Sequence, residues 1–196
     1  MQIINCEQGT EEWHKIRLGK FGGTDAQAVA TAGKGLETLC YQKVGEILTQ
    51  RPAKEPYTNS DLDRGNELEP IARQAYGLQT GLKVTTVGYI LKNEFVGVSP
   101  DGLVEDEGML EIKSPSDAVF VRYLFTREID PKYFWQMQHQ LLVAERKWVD
   151  FAVFNDNLNK LDITRVFRDE AKIEKIRIGL EIGEVKVREI LERVKG

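Results

Sequence analysis

From Lys83 to Asn155 apolar and polar residues alternate in short runs, and on either side the apolar positions recur every three or four residues. Strand side chains point alternately to two faces, whereas helical side chains share a face at spacings of three and four. The pattern predicts strands over Lys83–Leu91, Phe95–Val98, Leu103–Glu105, Met109–Lys113 and Trp148–Asn155, with Leu161–Phe167 as a further candidate. It predicts helices over Gly9–Arg17, Ala26–Thr31, Leu36–Leu48, Asp61–Thr80, Ala118–Phe125, Lys132–Ala144 and Asp169–Lys195. Thr10 is the expected cap of the first helix, with Trp13 and Ile16 toward the core; Thr24 and Asp25 are the expected caps of the second. Pro70 should kink or break the long helix, since proline lacks the donor the helix needs there. Gln50–Asn59 carries two prolines and reads as a loop. Helical stretches on both sides of a strand-rich middle imply an α/β fold, a central mixed sheet flanked by helices.

A length of 196 residues suits one domain, 1–196, with a sizeable core. Apolar content of 41% and charged content of 30% are ordinary for a soluble protein. No apolar run approaches membrane-spanning length, and the N-terminus lacks the pattern of a signal peptide. Cys6 and Cys40 form no disulfide framework, and His14 and His139 complete no zinc spacing with them, so a reducing cytoplasm is the expected setting. The net charge of −4 argues against a generic basic coat for nucleic acid. It does not exclude a DNA enzyme, because carboxylates gathered at a metal site add to the acid count. The last helix interleaves Lys and Arg with Glu over an apolar stripe, which reads as a solvated face, not a DNA-binding arm.

The stretch from Glu94 to Pro115 carries the most chemistry. Ser99-Pro100-Asp101-Gly102 has proline and glycine where tight turns favour them. Glu111 and Lys113 project from one face of the following strand, and Ile112 points the other way. A hairpin brings Asp101 beside that pair. Two carboxylates and a lysine suit Mg²⁺, which takes hard oxygen ligands and keeps several waters, and the lysine can hold a water for attack on a phosphodiester. The plainer reading is a turn aspartate and a surface Glu-x-Lys ion pair. On the Lys132–Ala144 helix, Gln136 and Gln140 share a face and Gln138 lies on another. Arg17 and Thr24 suit a phosphate cradle, or else a solvated cation and a helix cap.

Five segments in order, WHKIRLGKFGGTDA, RGNELEPIARQAY, GVSPDGLV, LEIKSP and YFWQMQHQLLV, resemble the phage lambda exonuclease and YqaJ-type viral recombinase family of PD-(D/E)xK nucleases. The resemblance covers about residues 11–155 and leaves the C-terminal amphipathic helix, about 169–195, outside it. It implies a restriction-endonuclease-like core and a Mg²⁺-dependent 5′→3′ exonuclease, with one or two ions and Mn²⁺ as a substitute. The substrate would be one strand of linear double-stranded DNA, degraded for homologous recombination. Asp101, Glu111 and the Ile112 carbonyl match the family's metal ligands, and Lys113 its lysine. Glu69 matches a helical glutamate of the metal cluster. Arg17 and Thr24 match the Arg and Ser that hold the 5′-phosphate, with threonine keeping the hydroxyl and adding a methyl. Gln136 matches the family's helix glutamine, with Gln138 as the other register. The resemblance further implies a ring-shaped homotrimer around the duplex and a single-strand annealing protein as partner.

Two other classes compete. A restriction-type endonuclease or junction resolvase on the same core needs no 5′-phosphate pocket and would cut a closed circle. A DNA-end-binding protein with a vestigial site would lack metal-dependent cleavage altogether.

Overall fold

The computed structural model describes the backbone of residues 1–53 and 60–196, and the side chains of residues 1–53 and 64–196. The sequence-predicted loop Gln50–Asn59 and the apolar position Leu62 fall largely outside that range. The described strands are β1 (Gln2–Ile4), β2 (Val84–Thr85), β3 (Tyr89–Asn93), β4 (Val96–Val98), β5 (Gly102–Val104), β6 (Gly108–Lys113), β7 (Trp148–Asn155) and β8 (Lys160–Phe167). The helices are α1 (Glu11–Arg17), α2 (Ala26–Thr31), α3 (Lys34–Thr49), α4 (Ser60–Thr80), α5 (Asp117–Thr126), α6 (Pro131–Ala144) and α7 (Glu170–Lys195).

The strands form two sheets, not the one expected from the sequence. The larger has the order β2-β5-β6-β7-β8; the smaller is β1-β3-β4. The stretch Lys83–Leu91 divides between them, β2 beside β5 and β3 beside β4. The turn at Ser99–Asp101 carries the chain from one sheet into the other, so two adjacent apolar runs do not share a ladder. β6 pairs antiparallel with β5 but parallel with β7, which makes the larger sheet mixed. Parallel neighbours need a long crossover, and α5 and α6 supply it.

The two faces of that sheet are covered unequally. Val104, Leu110, Ile112, Ala152 and Phe154 pack on Leu68, Ala72 and Tyr76 of α4. Met109, Val149, Phe151 and Val153 face the other way, into a larger cluster that includes Val29, Leu36, Phe120, Met137, Leu141 and Ile176. α4 runs unbroken through Pro70. Pro70 is exposed, as is Asn66, whose carbonyl loses its helical partner, so the missing bond is left to solvent. On α7 the predicted stripe is buried at Ile173, Ile176, Leu180, Val187 and Ile190, while Val194 is exposed. Gly179 of α7 lies against α2 so closely that a Cβ there would stand 2.0 Å from the Val29 carbonyl oxygen. No described helix is long and apolar enough to cross a membrane.

Candidate active site

β5 starts at Gly102, opposite Leu110, so the ladder between β5 and β6 ends before Ile112. The carboxylate of Asp101 continues it: Oδ2 accepts the Ile112 N–H at 2.6 Å. The turn aspartate is thereby fixed by the strand that bears the other two groups. Leu110 and Ile112 point to the α4 face, and the period of two sends Glu111 and Lys113 to the face covered by α6.

Glu111 is 1% exposed. A buried carboxylate must be hydrogen-bonded, and among the described residues every donor to Glu111 is a side chain. Oε1 accepts from Lys113 Nζ and, at 2.7 Å, from Gln136 Nε2. Oε2 accepts from Gln140 Nε2 at 2.6 Å. Helix periodicity thus delivers the two outer glutamines together. Gln138 leaves the site: its amide donates to the Phe167 carbonyl at 2.9 Å and accepts from the Asp169 N–H at 2.7 Å.

Desolvation, and then the nearby Glu111, raises the Asp101 carboxyl well above its ordinary range. Glu69, on α4, borders the same cleft. Desolvation raises it too; Arg73 opposes and Glu111 adds to the rise. Burial pulls the Lys113 ammonium down, but Glu111 and Asp101 outweigh that and hold it above its ordinary value. Arg73 went unnoticed in the sequence. Its guanidinium pairs with Glu69 and donates from Nε to the Asp101 carbonyl at 3.0 Å, tying α4 to the turn. The four-residue spacing of Glu69 and Arg73 on a helix is the one signal that marks the pair.

These groups open onto a cleft of about 1380 Å³ whose walls include Arg17, Thr24, Glu69, Asp101, Glu111 and Lys113. α1 has no buried residues, so Trp13 is not the core residue expected from the sequence. It is a platform: its Nε1 donates to Ser99 Oγ at 2.8 Å and to the Gly88 carbonyl at 3.1 Å. The Arg17 guanidinium stacks on it at 3.9 Å. Thr10 does cap α1, accepting from the Trp13 N–H at 3.3 Å.

Thr24 does not cap α2. It sits in a 3-10 turn, Gly23–Asp25, and neither that turn nor α2 has a side-chain cap. The carboxylate of Asp25 is drawn back to the Gly22 N–H at 3.0 Å and to Lys43 at 3.2 Å. The turn presses on α6: a Cβ on Gly23 would lie 2.9 Å from Gln136 Cγ. The wall bearing Thr24 and the glutamine on Glu111 are therefore in direct contact. Among the described residues, no three His, Cys, Asp or Glu side chains group closely enough to hold a metal by themselves.

Residues 12–147 match the family model of the YqaJ-like viral recombinase domain, which is more than half of the chain. The chain belongs to the YqaJ-like viral recombinase family. The matched range contains Trp13, Arg17, Thr24, Glu69, Asp101, Glu111, Lys113, Gln136 and Gln140. An alkaline exonuclease (LHK-Exo) from Laribacter hongkongensis superposes with a TM-score of 0.85 at 33% identity, over 95% of this chain and 96% of that one. A structure of LHK-Exo in complex with dAMP gives the same values. A phage related exonuclease from Haemophilus somnus 129PT has a TM-score of 0.68 at 14% identity, over 89% of this chain and 96% of that one, a likeness of fold alone. No curated protein matches the chain. The YqaJ-like fold here is of the PD-(D/E)xK type, a mixed central sheet flanked by helices.

Proposed function

We propose that this chain is a Mg²⁺-dependent 5′→3′ exonuclease that degrades one strand of linear double-stranded DNA for phage-type homologous recombination. The observation that carries the reading is the convergence of Asp101, Glu111 and Lys113 on a cleft that Arg17 and Thr24 also line. The alkaline exonuclease likeness, at 33% identity over nearly the whole chain, supports a nuclease acting on DNA.

The donor set fits Mg²⁺. Asp101 and Glu111 offer carboxylates and Ile112 its carbonyl, with Glu69 available to a second ion. Magnesium is commonly held by one or two carboxylates with water completing the shell, so three acidic side chains in one tight group are not required. The crowding also favours a cation: Glu111 and Glu69 each push the Asp101 carboxyl up, and Glu111 does the same to Glu69. A bound divalent ion supplies charge neutralisation and a more acidic water; Mn²⁺ would substitute. Lys113 carries its proton at neutral pH, because the two carboxylates stabilise the ammonium. It therefore donates a hydrogen bond and orients the attacking water and the scissile phosphate, leaving the water's proton to another acceptor. Gln136 holds Glu111. Arg17, flattened on Trp13, offers its fork to a terminal 5′-phosphate, and Thr24 adds a hydroxyl from the adjoining wall.

A linear duplex with one 5′-phosphorylated and one 5′-hydroxyl end tests the reading. With Mg²⁺ the phosphorylated strand should be consumed first; with chelator both should persist, and a covalently closed circle should stay intact. Cutting of the circle would establish an endonuclease, and cleavage in chelator would remove the metal. A ring-shaped homotrimer and a single-strand annealing partner belong to the same reading and rest on the family resemblance. Sedimentation of the purified chain tests the first, and co-purification with the phage annealing protein the second.

A further inference from the structure

The two oxygens of Glu111 are held by different means. Oε1 is shared by Lys113, whose side chain is 27% exposed, and by the half-buried Gln136. Among the described residues Oε2 has one partner, Gln140, and Gln140 is 1% exposed. The carboxylate therefore has a cleft end and a deep end. At the deep end the donor is a neutral amide, which supports a buried negative charge without cancelling it. The other half of that amide is unspent: Gln140 Oε1 is buried and has no hydrogen-bond partner among the described residues. Reversing the amide would satisfy nothing, because it would set a carbonyl oxygen against Oε2. The orientation is thus fixed by Glu111, at the cost of a stranded acceptor, and buried acceptors are seldom left so without a reason.

We propose that Gln140 is a positioning residue that anchors Oε2 of Glu111, so that Oε1 alone is presented to a divalent cation in the cleft. This rests on the proposed metal-dependent reading. Gln136 and Lys113 remain at the presented oxygen, where they exchange with the cation and the substrate; Gln140 does not exchange. Partners that orient a metal's ligands in this way typically carry ten- to a hundredfold in metal affinity or activity.

The test uses Gln140→Met, which keeps length and removes both polar atoms, and Gln140→Glu, which sets a carboxyl against Oε2. Calorimetric Mn²⁺ binding and kcat and KM on a phosphorylated duplex are measured for each. Both variants should lose about tenfold or more in Mn²⁺ affinity and in kcat, with KM for DNA unchanged. Gln140→Met should fold but melt lower than wild type, since it leaves Oε2 without its donor, the loss being softened because the stranded acceptor goes too. Wild-type Mn²⁺ affinity and kcat in a folded Gln140→Met would overturn the proposal. A wild-type protein that binds no divalent cation would sink the metal reading instead. In that event a double-mutant cycle of Gln140→Met with Glu111→Gln, melted in chelator, still decides whether Gln140 holds Glu111. Additive effects there, or a Gln140→Met protein that does not fold beside a fully active Gln140→Glu, would overturn the anchor.

Discussion

Two buried carboxylates sit on neighbouring strands of the larger sheet and face opposite ways. Asp150 of β7 is 2% exposed and Glu111 of β6 is 1% exposed, so burial alone does not separate them. Their neutralisation does. Asp150 takes a two-pronged grip from Arg165, 2.8 Å at each oxygen, and the Tyr76 hydroxyl at 2.6 Å. Arg165 is itself stacked on Trp148 at 3.6 Å. Both oxygens are hydrogen-bonded and the charge is matched by a cation. Glu111 receives two neutral amides and one lysine that borders open space, with two further acids nearby. A matched carboxylate holds a fold together; an under-matched one beside a cleft keeps an appetite for cations.

That contrast breaks most sharply when each carboxylate is removed. Glu111→Ala and Asp101→Ala should abolish cleavage while the melting temperature holds or rises, because mutual repulsion is relieved. Asp150→Ala should do the reverse, retaining turnover per folded molecule and losing stability. Removing one partner of a fully buried pair costs about 3–5 kcal/mol; here about 2–3 is expected, since Arg165 reaches water. Urea unfolding beside nuclease rates measures both, and a Glu111→Ala protein that unfolds like Asp150→Ala would erase the distinction. Lys113→Ala comes next, with kcat lower by about 10²–10³-fold and metal binding retained, as for loss of one preorganised hydrogen-bond donor at the reacting groups.

His139 offers a third case, a buried polar group with no partner. Both ring nitrogens are buried and unbonded among the described residues. Burial pushes its pKa from 6.5 down to about 4; the field of Asp25 opposes this and that of Lys92 adds to it. The unfolded chain then takes up the proton first as pH falls. Stability should therefore decline between pH 6.5 and about 4 and be unaffected by this group above pH 7. At about 1.4 kcal/mol per unit the loss approaches roughly 3 kcal/mol. His139→Leu should flatten that slope in urea midpoints measured from pH 7 downward. The smallest effect expected is at Arg17. Arg17→Ala should cut the preference for phosphorylated ends by about tenfold, the worth of one charged hydrogen bond, with part of that preference already lost at high salt in the wild type. An unchanged end preference would leave Arg17 without its role.

Much of this was legible in the chain. The turn around Asp101 and the strand over Met109–Lys113 follow from local alternation, because their partners lie within a hairpin. Helical period separated Gln136 and Gln140 from Gln138 without placing any of them. The division of Lys83–Leu91 between two sheets was not legible, since ladder membership depends on where the turn at Ser99–Asp101 aims the chain. Arg73 was hidden because one of its partners is a backbone carbonyl, which no residue type announces. Thr24 was misplaced as a cap because an acceptor next to a helix start has several donors within reach, and sequence does not rank them. Trp13 looked like core for the ordinary reason that tryptophan usually is; that it is a shelf for Arg17 depends on α1 lying at the surface.

The seat of Gly179 under Val29 reaches further than packing. α2 follows directly from the turn that bears Thr24, and that turn leans on Gln136. Any side chain at position 179 must push α2 off α7, and α2 is joined through the Thr24 turn to the glutamine on Glu111. A genetic screen for defective end processing should therefore return alleles in the C-terminal helix, well outside the region that matches the family. Such alleles would look like substrate-recognition mutants although the altered residue is buried between two helices.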